Sequence, residues 1–589
     1  MTFTFTVSAA DWVRIVPELV LAGMALLIML VDLLLPAAGP DTDGNAPGLG
    51  RFLPLPALAL LGLVGAFAAT IVLFVTGDGR SAFNGMVGSD AGSLYAYIII
   101  LSASATGVLL SPGFLWRLNV THQGEYYALW LLSTVGMMLL AAATSFLVVF
   151  LGLEMLSLAL YILSGYLARR RSSQEAGMKY FLLSSFASAF LLYGIAMTYG
   201  ATGSTTFSGI ATFLGTFSNI KSPVFHFPTL LLIGLGLLTV GFAFKVSAIP
   251  FQAWTPDVYV GAPAPVTAFM SVGTKAAALI AFARVFDVLF QPLQPSWMPV
   301  IWAITILTIV GGNILALVQT NLKRLLAYSS IAHAGYLLIG IVAGGTIGIA
   351  AILFYLLCYT FLNLGAFGVS SVLEAANPQA NNLEEMRGLW YRQPLLAGLL
   401  AFFLFSLAGF PPMAGFAAKY YLFLVALQSG HPELLIIGVL ASVLGMYYYL
   451  KVIAAMFMQR EAPAPAPQAQ PALATANSGP LAPTPSRVPA RGTPTIHERG
   501  SRKLPGTGTG ALSSTPAKGG TAVAVKATTV NESRTVVAAE KEVEQWTIAW
   551  PTWLSLGLSA LGTLAMGTIL PFWLVNVAQY AAQMIFLLR

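Results

Sequence analysis

The stretch VGFAFKVSAIPFQAWTPDVYVGAPAPVTAFMSVGTK, residues 240–275, sets two lysines into otherwise apolar sequence on either side of a proline. Lys245 lies in a run fit for the inside of a bilayer, and Pro250 follows it closely. Proline has no N–H to give, and its ring crowds the carbonyl four residues back. Pro250 should therefore free the carbonyl of Val246 and bend or break the helix. After a polar turn, Trp254 to Tyr259, a second apolar helix begins near Pro263 and carries Lys275. A cation beside a broken helix at membrane depth is costly, and such groups are usually kept for ion movement.

Working outward, the composition is that of a membrane chain. Of 589 residues 57% are hydrophobic and 9% charged, against roughly 25% charged in soluble domains. The formal charge of +7 does not point to nucleic acid, because the basic residues sit in loops at helix ends, where membrane orientation accounts for them. The single cysteine, Cys358, excludes an intrachain disulfide and a self-contained iron–sulfur site, and reads as a small apolar helix residue. Met1 to Ala10 lacks the basic start of a signal peptide, and the first apolar run, Ile15 to Leu35, is long enough to span a bilayer.

Apolar runs predict an all-α integral membrane protein of about 14 transmembrane helices. They fall near 12–35, 53–76, 93–111, 127–142, 145–167, 177–200, 228–260 (broken), 262–290, 298–319, 324–343, 346–374, 394–428 (broken), 432–458 and 549–586, the last with a candidate kink at Pro571. Loops after odd-numbered helices carry Arg51, Arg117, Arg169 to Arg171, Lys323, Arg324, Arg387 and Arg392, whereas the others offer little beyond Arg80 and Lys221. The positive-inside rule then puts the odd loops in the cytoplasm and both termini outside. Three segments follow: a bundle over 1–458, an insert over 459–545 and a last transmembrane helix within 546–589. The insert is rich in Pro, Ala, Thr and Ser, with no apolar run long enough to cross. It reads as extended or disordered chain on the cytoplasmic side, a solvated linker whose basic residues can also meet anionic lipid.

A second break, FSLAGFPPMAGFAAKYYLF, carries Pro411, Pro412 and Lys419. Duplicated discontinuous helices point to a transport site. Ionisable groups inside the spans are few: Glu154, Lys179, Lys245, Lys275, His333 and Lys419. The four lysines and the glutamate would together oppose insertion by roughly 12–18 kcal/mol if unpaired and central. They must pair, meet water or stay neutral, which are the conditions of a proton relay. Glu154, in VVFLGLEMLSLALYIL, has apolar sequence on both sides, so snorkelling is hard. Lys179 lies near a helix start, where it can join a relay or snorkel to the cytoplasmic interface. His333 reads equally as a hydrogen-bonded core histidine. Arg284 and Asp287, one turn apart, read as a local ion pair. The sequence holds no Walker-type phosphate loop, no dinucleotide-binding GxGxxG and no cysteine cluster, so ATP hydrolysis, NADH binding and metal-borne electron transfer are not expected of this chain.

The segments TPDVYVGAPAPV (255–266), Lys275 in its small-residue helix, NLKRLLAYSSIAHAGY (321–336) and GFPPMAGFAAKYYLF (409–423) resemble the antiporter-like subunits of respiratory complex I, the N type of bacterial NADH-quinone oxidoreductase most nearly. Lys419 stands where the similar M-type subunits usually carry glutamate, and the long lateral helix of the L type is missing. Mrp-type Na⁺/H⁺ antiporters and membrane-bound hydrogenases share much of the pattern and supply the alternative readings. The insert departs from the family, which usually has a short loop there.

The resemblance implies two inverted five-helix repeats, helices 4–8 and 9–13, with broken helices 7 and 12. It implies that Glu154 pairs with Lys245, and that protons pass from Lys275 by His333 to Lys419. It further implies a bacterial inner-membrane complex, enzymatic as a whole, with M-type and K-type neighbours. NADH, FMN, iron–sulfur clusters and quinone would belong to other subunits and no cofactor to this one.

Overall fold

The computed structural model describes residues 7–34, 49–120, 122–218, 229–458 and 548–587. The insert expected over 459–545 lies outside the described residues. In chain order the main helices are α1 (Val16–Leu34), α2 (Pro54–Thr76), α3 (Ala91–Arg117), α4 (Gly124–Ala142), α5 (Phe146–Ser164), α6 (Arg171–Thr202), α7 (Thr229–Lys245), α8 (Trp254–Gly261) and α9 (Ala264–Ala283). They continue with α10 (Gln294–Leu317), α11 (Leu322–Ala343), α12 (Gly345–Ala376), α13 (Pro394–Ala408), α14 (Ala414–Gln428), α15 (Pro432–Phe457), α16 (Trp550–Thr568) and α17 (Pro571–Leu587). Among the described residues, eleven helices are long and apolar enough to cross a membrane unaided. The pairs α7/α8 and α13/α14 are the interrupted helices expected at Pro250 and at Pro411 and Pro412.

The helices differ in how much of them faces outward. α9 buries every residue, and α3, α11 and α12 bury nearly all of theirs. α1, α2, α6, α10 and α15 expose leucine, isoleucine and valine over long faces, as lipid-facing helices do. Lipid gives apolar side chains no reason to leave it, so association rests on close packing through small residues. Gly136 on α4 faces Gly152 on α5, and a Cβ at Gly152 would lie 2.7 Å from the Leu140 nitrogen. That contact seats α5, the helix of Glu154, directly on the backbone of α4.

The first break begins earlier than Pro250 alone requires: α7 ends at Lys245, and Val246 is already outside it. Ser247 takes a left-handed φ of 66°, and the Ile249–Pro250 bond is cis. The carbonyl that gains a side-chain partner is that of Phe244, which accepts the indole N–H of Trp254 at 3.1 Å. Thr255 Oγ1 donates to Ser247 Oγ at 2.6 Å, and the Ile249 amide donates to Thr308 Oγ1 on α10 at 3.0 Å. Irregular backbone at membrane depth is thus paired inside the protein. In the second break Gly409 turns the chain with φ 93° and the Pro411–Pro412 bond is cis. Gly415 then packs on the Ser406 carbonyl, where no side chain fits.

The last run, expected as one kinked helix over 549–586, is instead two helices bent by 90°. The Ile569 and Leu570 amides both turn back to the Ala565 carbonyl, at 3.0 and 2.9 Å, closing α16 before Pro571 starts a new helix. The sequence reading also missed a short hairpin, Ser81–Ala82 with Val87–Gly88, and a helix over Phe207–Ser218.

Candidate functional site

Lys245 is the last residue of α7, where the negative pole of the helix dipole favours a cation. Its ammonium is buried, donates to Ser157 Oγ on α5 at 2.6 Å and to Tyr180 Oη on α6 at 3.4 Å, and lies 5.4 Å from the centre of the Tyr180 ring. The Tyr180 ring stacks on Trp254 at 4.7 Å, so the indole that caps Phe244 also holds the phenol against the lysine. Glu154 lies one turn before Ser157 on the helix that Lys245 reaches, but among the described residues the direct Glu154–Lys245 ion pair expected is not formed. Glu154 Oε1 is buried and has no hydrogen-bond partner among the described residues.

Lys275 lies midway along the fully buried α9 and donates to both the carbonyl, at 2.5 Å, and the hydroxyl of Ser330 on α11. Tyr359 Oη on α12 donates to the same hydroxyl at 2.9 Å, and its ring lies 5.0 Å from that of His333. His333 is held between two phenols: Nδ1 is 2.7 Å from Tyr355 Oη and Nε2 is 3.3 Å from Tyr449 Oη. An imidazole so placed can accept on one nitrogen and release from the other, which is what a shuttle needs.

From Tyr449 the polar groups continue to Tyr448, whose ring centre is 4.4 Å away and whose hydroxyl donates to Asn313 Oδ1 at 3.2 Å. Asn313 Nδ2 donates to Tyr336 Oη at 3.2 Å, and Lys419 Nζ lies 5.4 Å from the centre of the Tyr336 ring. Lys419 donates to the carbonyls of Leu407 and Ala408, at 2.9 and 3.1 Å, and to Ser442 Oγ at 3.0 Å. Those carbonyls are the C-terminal end of α13, again the negative pole of a half-helix. A groove of about 500 Å³, lined by Phe416, Tyr420, Leu427 and Val439 among others, opens beside this lysine.

The structure thus brings Lys245, Lys275, His333 and Lys419 into the buried interior, with Glu154 at one flank. Lys179 is elsewhere: its side chain is 40% exposed and pairs with Glu175 at 2.6 Å and Asp257 at 2.8 Å. The local Arg284–Asp287 pair is not formed. Arg284 reaches Asp90, the N-cap residue of α3, at 2.6 Å, because α3 and α9 pack side by side. Lys323, read from sequence as an orientation signal, is buried and pairs with Glu374 at 2.8 Å, while Arg170 pairs with the other oxygen at 2.9 Å. Lys323 also donates to the carbonyls of Val260 and Ala262 at the end of α8, at 3.1 and 2.7 Å. The aromatic and hydroxyl groups between the lysines were missed as well. Their signal was the short spacing of Ser330, His333 and Tyr336 on α11, which puts polar groups on successive turns of a buried helix.

Among the described residues no cluster of His, Cys, Asp and Glu is fit to hold a metal ion. Residues 143–445, which contain Glu154, Lys245, Lys275, His333 and Lys419, match the family described as NADH:quinone oxidoreductase/Mrp antiporter, TM. The chain is 44% identical over 448 residues to NADH-quinone oxidoreductase subunit N of Trichlorobacter lovleyi, covering 76% of this chain and 87% of that one. It is similar in structure to a chain of respiratory complex I from Thermus thermophilus, with a TM-score of 0.61 at 34% identity, covering 76% of this chain and 92% of that one. A chain of the Mrp complex of Dietzia sp. DQ12-45-1b shares the fold, with a TM-score of 0.69 at 19% identity over 98% and 97% of the two chains. By sequence match and coverage, the chain belongs to the NADH:quinone oxidoreductase/Mrp antiporter family of membrane proteins, among the N-type subunits of NADH-quinone oxidoreductase.

Proposed function

We propose that this chain is a proton-translocating membrane subunit of a bacterial NADH-quinone oxidoreductase, and that Glu154, Lys245, Lys275, His333 and Lys419 carry the protons. The observation that carries this reading is the file of buried amines and imidazole, each held by serine, tyrosine or backbone carbonyl groups, between the two helix breaks. Lys245, Lys275 and Lys419 each donate hydrogen bonds to hydroxyl or carbonyl groups and, among the described residues, have no carboxylate in direct contact, so their charge responds to a neighbour's. Quinone reduction in other subunits alters the Glu154–Lys245 interaction. Lys245 then releases its proton inward, Lys275 and His333 pass one on, and Lys419 discharges outside.

In this reading α4 to α9 and α10 to α15 are the two inverted repeats, each a half-channel. The chain sits in the inner membrane with both termini outside. K-type and M-type subunits flank it. NADH, FMN, iron–sulfur clusters and quinone are bound by other subunits, and the enzyme activity is that of the whole complex. The likeness to the Mrp chain is one of fold, and the cation/proton antiporter alternative rests on that alone.

The test is Lys275→Ala in the assembled complex in membrane vesicles. The expected result is normal assembly with most of the proton pumping lost. Pumping at the wild-type level would overturn the relay.

A further inference from the structure

The file is joined by ring packing as well as by hydrogen bonds, and its widest gap in named partners lies between two lysines: among the described residues no hydrogen bond joins the surroundings of Lys245 to those of Lys275. The gap is filled by the short helix α8, eight residues between the break and Ala262. Ser247, two residues after Lys245 in the chain and not bonded to its ammonium among the described residues, accepts the Thr255 hydroxyl, and Thr255 stands in the first turn of α8. Tyr259 follows one turn later on the same face, about 5–6 Å away between Cβ atoms. Tyr259 is fully buried, with its ring edge-on to Trp254 at 6.2 Å and to Phe367 at 6.1 Å. Its hydroxyl has no hydrogen-bond partner among the described residues. α8 packs against α11, which carries Ser330, the residue that takes both hydrogen bonds of Lys275.

A buried hydroxyl with no partner is destabilising, and phenylalanine would fill the same space without that burden. A purely packing role therefore does not account for the oxygen. We infer that Tyr259 is the proton-passing link between the Lys245 and Lys275 stations. Its hydroxyl takes a proton handed on through Ser247 and Thr255 and releases its own to Ser330, which gives up its proton to Lys275 in the neutral amine form. One O–H bond forms as the other breaks, and the phenol remains neutral and unoxidised. The steps from Lys245 to Ser247, from Thr255 to Tyr259 and from Tyr259 to Ser330 are closed by a shift of α8 or by bridging water, which suits a helix with a break at each end. The inference rests on the relay reading above.

The test uses the assembled complex in membrane vesicles and compares Tyr259→Phe with Lys275→Ala. The expected result for Tyr259→Phe is wild-type complex content, continued quinone reduction and several-fold fewer protons pumped per electron. A fluorotyrosine at the same position, whose hydroxyl is more acidic, restores pumping with a pH profile displaced to lower pH. Full pumping by Tyr259→Phe beside an impaired Lys275→Ala overturns the link and leaves the relay standing. Full pumping by both overturns link and relay together. A Tyr259→Phe complex that is scarce but pumps normally per molecule, or a fluorotyrosine complex with an unshifted profile, also overturns it, since either marks a structural role.

Discussion

The two interrupted crossings place their lysines differently in the chain and alike in space. Lys245 precedes its proline, whereas Lys419 follows its pair of prolines. Yet Lys245 ends α7, and Lys419 folds back from α14 onto the last carbonyls of α13. Each ammonium therefore lies at the C-terminal pole of a first half-helix, where the macrodipole favours positive charge. The surroundings then diverge. Lys245 is enclosed by Ser157 and the Tyr180 ring, with Glu154 one turn before Ser157. Lys419 rests on two carbonyls and Ser442 beside an open groove. The break supplies the electrostatic seat in both cases, and the neighbouring helices decide what the lysine answers to: a carboxylate in one, an opening in the other.

The largest effect is expected from Lys323, which grips the far end of the first crossing. Lys323→Ala leaves Glu374 with Arg170 alone and frees the carbonyls of Val260 and Ala262. Removing one member of a buried ion pair costs about 3–5 kcal/mol, to be read from the thermal stability and yield of the assembled complex. A loss under about 1 kcal/mol would mean that α8 is not held there.

A smaller effect separates the two lysines themselves. In a double-mutant cycle Glu154→Gln and Lys245→Ala should couple by about 1–3 kcal/mol in the stability of the complex, whereas Glu154→Gln and Lys419→Ala should add within about 0.5 kcal/mol. Equal coupling in both cycles would erase the contrast drawn above. Smaller still are the two serines. Ser157→Ala should cost about 1.5 kcal/mol, because Lys245 then keeps only Tyr180 at 3.4 Å. Ser442→Ala should cost about 0.5 kcal/mol, since Lys419 retains its two carbonyls. The same measurement reads both, and a reversed order would show that the groove side is the tighter seat.

Much of the site was legible before any coordinates. Lys245, Lys275, His333 and Lys419 stood out because a charged or titratable residue in apolar sequence is rare, and all four are buried. Lys179 looked similar but sits in a surface ion-pair network with Glu175 and Asp257, since its position near the start of α6 lets it reach out. Lys323 was misjudged the other way: a lysine beside an arginine in a loop reads as exposed until Glu374 and Arg170 are found against it. Tyr259, Tyr359 and Tyr449 escaped notice because a tyrosine in a membrane helix is unremarkable by composition, and only its neighbours make it polar machinery.

Local chemistry settled what the sequence alone could determine: a membrane chain, the places where prolines interrupt helices, and the titratable groups that must be sheltered. Hydropathy and a missing N–H act within a few residues, so they survive reading in one dimension. The tertiary structure decided that Arg284 meets Asp90, that the final run turns through 90°, and that Lys275 speaks to Ser330. These depend on how each helix is rotated about its own axis against its neighbours, and that rotation is set by packing across the whole bundle.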